Sequence, residues 1–245
     1  MVNRTLKHFR DAFTMLELIF AIVIIGLVAI TIPTILMTNA RNVETNLLQE
    51  AVLIAATKMG QTLSYPWDEN SPEPGITLAA TDVVTVNSGD SELQRVGTSD
   101  FRRGHFQEAL RRRMTPNSAQ RYATLPGNLG SDGATDDPFG DDDIDDISGA
   151  TPTVISPPTG TGLEGQGIKA TYTISGTAKY VSDAAAYNGT TIDNFDFLTA
   201  TAGGTTNIKM IEISVDSGNT AVNPDIVFRA WASNIGETDY YKRTY

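Results

Sequence analysis

The chain has 245 residues and a formal net charge of −11 at pH 7, from 18 Lys+Arg against 29 Asp+Glu. That length suits one domain or two small ones. The acidic balance argues against a general nucleic-acid binder, which needs a basic surface. The lack of Cys excludes disulfides, thiolate metal sites and a cysteine nucleophile, and a count of two His excludes a histidine-rich metal centre.

One long apolar block lies near the N-terminus. Of the 25 residues from 13 to 37, 19 are hydrophobic, and the 20 residues from 18 to 37 carry no charge. As a helix, those 20 residues would extend about 30 Å, which matches the hydrocarbon core of a bilayer. We therefore expect a membrane-spanning helix over residues 18–37.

A short basic segment, residues 1–12, precedes this block. It carries Arg4, Lys7 and Arg10 against a single acid, Asp11. The positive-inside rule then predicts a cytoplasmic N-terminus, with the chain after about residue 40 on the outer side. The apolar stretch is too long for the hydrophobic region of a secretory signal. Glu17, near its start, is costly in lipid, so it indicates either a functional residue or a solvated position at the interface.

The junction of the two segments carries the most specific motif of the chain, Ala12-Phe13-Thr14-Met15-Leu16-Glu17-Leu18-Ile19. This motif resembles the N-terminal processing site of type IV pilins and type II secretion pseudopilins. The resemblance implies that prepilin peptidase removes residues 1–12 by cutting between Ala12 and Phe13, and that Phe13 is then N-methylated. The family usually has Gly before the cut, where this chain has Ala12. The motif covers about residues 1–60.

The resemblance gives Glu17 and Pro33 roles in assembly. Cleavage would leave a charged amine on Phe13 and a carboxylate on Glu17 in an apolar setting, where each is costly alone and less so as a pair. We expect Glu17 of one subunit to meet the Phe13 amine of its neighbour, which would set the axial register of a filament. Pro33 removes one helical hydrogen bond and predicts a kink, which serves either as a tolerated irregularity or as a flexible point for packing.

The helix is predicted to continue beyond the apolar block, over residues 13–62. Leu47, Ala51, Ala55 and Met59 recur every four residues, and Leu48, Val52 and Leu63 are expected to extend this apolar stripe. Gly60 and the Tyr65-Pro66 pair are stop signals. This second half of the helix is expected to pack on the outer domain, residues 63–245, with Trp67 beneath a sheet.

The C-terminal half predicts that sheet. Segments 169–175 and 178–182 flank Gly176-Thr177, a two-residue hairpin signal. Segments 207–216 and 225–233 alternate or are rich in β-formers, a shorter strand is expected at 82–86, and residues 149–167 read as a loop. The predicted fold class is α+β, a long N-terminal helix packed on an antiparallel sheet, and the resemblance makes it pilin-like.

Two oppositely charged segments occupy the loops at 95–165. Residues 95–121 hold seven Arg against two acids, and residues 122–165 hold nine acids and no base. Such runs are usually solvated faces. In the basic segment we expect an amphipathic surface helix, with a DNA-contacting patch as the alternative, at Arg111, Arg112 and Arg113.

The acidic segment is dense in the oxygen ligands that Ca²⁺ prefers. The candidate ligands are Asp137, Asp141, Asp143 and Asp145, although the spacing beyond them does not complete an EF-hand. The stretch Asp137-Pro138-Phe139-Gly140 resembles the Asp-Pro-Trp-Gly of major pseudopilins, whose C-terminal loop binds calcium. The alternative is an unliganded acidic loop, folded onto the Arg segment.

No enzyme motif is present in the sequence, so we expect a structural protein rather than a catalyst. The resemblance implies a filament subunit that is a single-pass protein of the bacterial inner membrane, with its C-terminal domain periplasmic or extracellular. Its partners would be other pilin-like subunits, prepilin peptidase and the inner-membrane assembly platform. Two alternatives stay open: an anchored module that captures Ca²⁺ or a partner without polymerising, and a pilin-like component of a DNA-uptake machine.

Overall fold

The computed structural model describes residues 15–72, 81–102, 114–130, 143–158, 167–183, 185–187, 190–192, 195–218 and 226–236. In chain order its elements are a long helix α1 (Met15–Thr62) and four strands, β1 (Thr153–Ile155), β2 (Tyr172–Val181), β3 (Ile208–Asp216) and β4 (Ile226–Ser233). Short 3-10 helices lie at Ser91–Leu93 and Asn117–Ala119. The chain divides into two compact units, Met1–Leu47 and Leu48–Tyr245.

Helix α1 has 48 residues and continues through Pro33 without a break. By length and composition it can cross a membrane, since its most apolar 18-residue window has a mean hydropathy of 2.8 and none of that window is buried. The helix predicted over 13–62 is thus confirmed for its described part.

The second half of α1 buries a narrow stripe. Leu47, Ala51, Ala55 and Met59 are buried as predicted. The extension of this stripe was wrong, because three neighbouring apolar residues stay 39–43 % exposed, namely Leu48, Val52 and Leu63. Leu48 and Val52 each follow a buried residue by one position, which on an α-helix turns their side chains about 100° away from the buried face.

The four strands form one antiparallel sheet in the order β1-β2-β3-β4. One face packs with the second half of α1 around Tyr172, Tyr180, Ile211 and Ile213, which are fully buried. β3 and β4 agree with the predicted segments 207–216 and 225–233. The α+β class is confirmed.

The predicted hairpin at Gly176-Thr177 is wrong. β2 runs straight through both residues, and Gly176 lies opposite Ile213 of β3. The glycine serves close approach rather than a turn: a Cβ at this position would overlap the Cγ1 and Cδ1 atoms of Ile147. A glycine between β-forming residues can mark either a turn or a place where another chain segment approaches the strand closely. The sequence pattern is the same in both cases, so it predicted a turn here.

Two shorter predictions also differ from the structure. Residues 82–86 form no strand; they make single parallel bridges, Val83 with Met114 and Thr85 with Tyr122. Side chains satisfy much of this segment instead, as where the Val84 N–H donates to Asn234 Oδ1 at 3.1 Å. The loop expected at 149–167 contains β1, a three-residue edge strand too short to stand out in a Thr- and Pro-rich sequence.

Candidate functional site

The first half of α1 carries one carboxylate, that of Glu17, on an exposed apolar surface. Glu17 is in the first turn of α1, where the helix dipole favours a negative charge. It is the only charged residue between Met15 and Ala40. The apolar side chains around it are exposed, with Leu16 at 65 % and Leu18 at 52 %. The predicted processing residues Ala12 and Phe13 lie outside the described residues.

Hydroxyl groups flank Pro33 on the helix. Thr34 Oγ1 donates to the Ile30 carbonyl at 3.1 Å, and Thr31 Oγ1 donates to the Val28 carbonyl at 3.2 Å. Proline at position 33 has no N–H for the Ala29 carbonyl, and such hydroxyl bonds commonly accompany bends in apolar helices. Both hydroxyl bonds stay within α1 and go to the Val28 and Ile30 carbonyls, not to the Ala29 carbonyl that Pro33 leaves without its helical donor.

A cluster of charged side chains is buried in the unit Leu48–Tyr245. Three segments meet there: residues 67–69 just after α1, residues 143–146 of the acidic segment, and Lys209 of β3. The carboxylates of Asp68, Asp143 and Asp145 lie within 4.8 Å of one another and are buried. The acidic segment was expected to be a solvated face, and for residues 143–146 that prediction is wrong.

Lys209 is at the centre of this lysine–aspartate cluster, and its side chain is fully buried. Its Nζ donates to the Trp67 carbonyl oxygen at 2.8 Å, to Asp68 Oδ2 at 3.1 Å and to Asp145 Oδ1. The same Nζ lies 4.5 Å from the centroid of the Trp67 ring and 5.5 Å from that of Tyr180. Oxygen atoms and aromatic faces thus surround one ammonium group.

Backbone N–H groups hold the carboxylates in place around the lysine. Asp143 accepts from the N–H of Glu69 at 2.7 Å through Oδ2, and from the N–H of Asp145 at 2.7 Å through Oδ1. Asp68 Oδ2 accepts from the N–H of Thr124 at 3.0 Å. Because the bonds from Glu69 and Thr124 join distant parts of the chain, the cluster fixes the acidic segment against the segment that follows α1.

Burial and mutual repulsion perturb the titration of this cluster. Burial raises the pKa of Asp143, the charge of Asp145 raises it further, and Lys209 offsets only part of the effect. Burial also raises the pKa of Asp145 despite its bond to Lys209. For Lys209 itself burial lowers the pKa, but the surrounding carboxylates outweigh this and leave the pKa raised. The single ammonium of Lys209 therefore lowers the pKa values of Asp143 and Asp145 by less than burial and the neighbouring carboxylates raise them.

Two of the predicted calcium ligands lie in the lysine–aspartate cluster, where a protein cation is also present. Asp143 and Asp145 do lie together, but their oxygens are bound by Lys209 and by backbone N–H groups. An ammonium takes the position where a cation would contact Asp68 and Asp145. The other two predicted ligands, Asp137 and Asp141, lie outside the described residues.

Sequence reasoning missed Lys209 and Asp68. A signal for Lys209 was present, since it lies in phase with the inward-facing Ile211 and Ile213 of an alternating strand. A lysine at an inward strand position requires a buried counter-charge. Trp67 was expected to pack beneath the sheet; it is buried, and its Nε1–H donates to the Ala232 carbonyl at 3.0 Å.

The described arginines of the basic segment bond within the chain. Arg95 donates to the Thr115 carbonyl, Arg102 donates to Asn207 Oδ1 at 3.2 Å, and Arg121 is paired with Asp82 at 3.0 Å. These three side chains therefore stabilise loops rather than form a free basic surface. Arg111, Arg112 and Arg113, the candidate nucleic-acid contacts, lie outside the described residues.

No protein-family model, curated protein or solved structure matches this chain.

Proposed function

We propose that the chain is a structural subunit of a membrane-based filament of the type IV pilin and type II secretion pseudopilin kind. One observation carries the proposal: a 48-residue helix whose first half is apolar and exposed, with a single carboxylate at its start. Each large apolar side chain left in water forgoes about 1.5–3 kcal/mol of burial free energy. Such a helix is therefore stable with lipid around it, and in a filament the helices of other subunits would take the place of the lipid.

Glu17 supplies the specificity of this packing. Removal of residues 1–12 by prepilin peptidase creates an amine on Phe13 four residues before Glu17. A carboxylate in an apolar helix bundle is costly unless it is paired. The axial register that brings Glu17 of one subunit to the Phe13 amine of its neighbour is therefore lower in free energy than registers that leave Glu17 unpaired. The uncut chain has no amine at this position, so cleavage precedes assembly.

The basic leader places the N-terminus in the cytoplasm and the unit Leu48–Tyr245 outside it, in the periplasm or beyond. In this arrangement α1 first anchors the subunit in the inner membrane and later forms the filament core. The Lys209 cluster stabilises the outer unit, which is the part exposed to partners. The machine served is a type II secretion system, a type IV pilus or a related assembly.

The test replaces the carboxylate without changing the apolar helix. Glu17→Ala is compared with Glu44→Ala, since Glu44 lies on the same helix beyond the apolar block. Both variants are expected to fractionate with membranes, because the spanning segment is unchanged. Only Glu17→Ala is expected to be lost from sheared filaments and from crosslinked subunit ladders.

Equal incorporation of both variants would refute the proposed role of Glu17. An intact leader in the wild-type chain would favour the second candidate, an anchored module that captures a partner or Ca²⁺ without polymerising. A DNA-uptake component would show salt-dependent DNA binding that is lost on charge reversal at Arg111, Arg112 and Arg113.

A further inference from the structure

The lysine–aspartate cluster contains a cation that belongs to the chain. Lys209 Nζ contacts the Trp67 carbonyl oxygen and carboxylate oxygens of Asp68 and Asp145. Carbonyl and carboxylate oxygens are the ligands that calcium takes in proteins. The chain thus directs a calcium-like set of oxygen atoms at an ammonium group.

The aromatic rings at this position favour the ammonium over a metal. The Trp67 ring centroid is 4.5 Å from Nζ and the Tyr180 centroid is 5.5 Å away. A ring face attracts an organic cation through its quadrupole, but it is not a ligand for a hard metal ion. Tyr180 is the register partner of Lys209 across β2 and β3, so the sheet itself fixes this ring beside the ammonium.

We propose that the Lys209 ammonium is the resident cation of this cluster and takes the place of a calcium ion, so that the unit Leu48–Tyr245 folds without metal. The ammonium ties β3 to the segment after α1 and to the acidic segment, which is the cross-link that a loop-bound cation would supply. Its removal leaves three buried carboxyl groups facing one another without a cation, and a hard divalent cation is then the group that can bind them in their charged form. This inference is independent of filament assembly.

The experiment uses the full chain in detergent micelles, with CaCl₂ as the probe and a calcium chelator as the reference. Lys209→Met removes the charge while keeping a long apolar side chain. Lys179→Met is the matched control, because Lys179 lies on the adjacent strand with its side chain on the opposite face from Tyr180. Thermal unfolding is followed by tryptophan fluorescence, and bound Ca²⁺ is measured by equilibrium dialysis.

The wild-type chain and Lys179→Met are expected to unfold at the same temperature with CaCl₂ and with chelator. Lys209→Met is expected to unfold at a lower temperature in chelator, to gain stability with CaCl₂ and to bind one more Ca²⁺ per chain than the wild type. Adding Asp145→Asn to Lys209→Met should abolish this gain. Folding of Lys209→Met only in the presence of Ca²⁺ would support the inference equally.

Three results would overturn the inference. The first is a folded Lys209→Met that does not respond to Ca²⁺. The second is a Lys209→Met chain that stays unfolded with Ca²⁺ as well as without it. The third is a wild-type chain that loses stability in chelator, when Asp145→Asn removes that dependence, because the cluster would then hold a metal despite its lysine.

Discussion

Gly176 of β2 offers a sharp test of the strand that replaces the predicted hairpin. Its position opposite Ile213 leaves no room for a side chain, because a Cβ there would overlap Cγ1 and Cδ1 of Ile147 and lie 3.3 Å from the Ile147 Cβ. Ile147 is only 8 % exposed and belongs to the core, so it has little freedom to move away. Gly176→Ala is therefore an overpacking substitution.

The magnitude follows from two opposing effects. Overpacking of a core costs about 1–3 kcal/mol, and replacing glycine by alanine returns about 0.4–1 kcal/mol through the unfolded chain. The difference between these ranges predicts a net destabilisation of Gly176→Ala of about 0–2.6 kcal/mol, with a midpoint of about 1.3 kcal/mol. For a unit of this size, the midpoint lowers the unfolding temperature by roughly 3–5 °C.

The assay is a double-mutant cycle with Ile147→Ala, followed by thermal unfolding of the full chain in detergent. Ile147→Ala alone should destabilise by leaving a cavity, and Gly176→Ala in that background should be neutral or stabilising because its methyl group fills part of the space. Gly203→Ala is the control, since a Cβ at Gly203 meets nothing within 4 Å. Additive effects of the two core substitutions would refute the close contact between β2 and Ile147.

Two further predictions concern the lysine–aspartate cluster. The pKa of Asp143 is raised above its ordinary value of 3.8, so its contribution to stability is fully present below pH 3.8 and is lost as pH rises through the folded-state pKa. We expect Asp143 to lower the unfolding temperature as the pH rises from its ordinary pKa of 3.8 to its folded-state pKa of about 9, so the slope of unfolding temperature against pH should be less negative in Asp143→Asn than in the wild type. Equal slopes in the two chains would contradict the burial argument. Trp67→Phe should cost about 2–4 kcal/mol, because it leaves the Ala232 carbonyl without its donor and weakens the contact with Lys209. The half-buried Trp231, which faces no buried cation among the described residues, should tolerate replacement by Phe at a smaller cost, and circular dichroism in denaturant measures both.

The sequence predicted the elements whose signals are local and periodic. The four-residue spacing of Leu47, Ala51, Ala55 and Met59 identified the buried face of α1, and alternation identified β3. The turn misread at Gly176 depended on Ile147, which is distant in sequence, so no local pattern could distinguish the two roles of that glycine.

The charged segments were the least predictable part of the chain. Net charge along a sequence indicates solvation on average, but Asp143 and Asp145 are buried: Lys209 of β3 binds Asp145, and backbone N–H groups bind Asp143. Arg95 and Arg121 are likewise engaged with carbonyl and carboxylate oxygens of neighbouring loops. Such pairings join residues that are distant in sequence, and a single sequence does not show which distant residues will pair. The one local indication was the position of Lys209 on the buried face of β3, because a buried lysine requires acidic side chains nearby.

The N-terminus of the mature chain distinguishes a processed filament subunit from an anchored module that keeps its leader. It can be measured by mass spectrometry of the chain from cells with and without prepilin peptidase. If leader cleavage makes the chain a filament subunit, as we propose, the chain begins at a methylated Phe13 when the peptidase is present and retains residues 1–12 when the peptidase is absent. A chain that keeps its leader in both strains, or that is cut elsewhere in both, would rule this out.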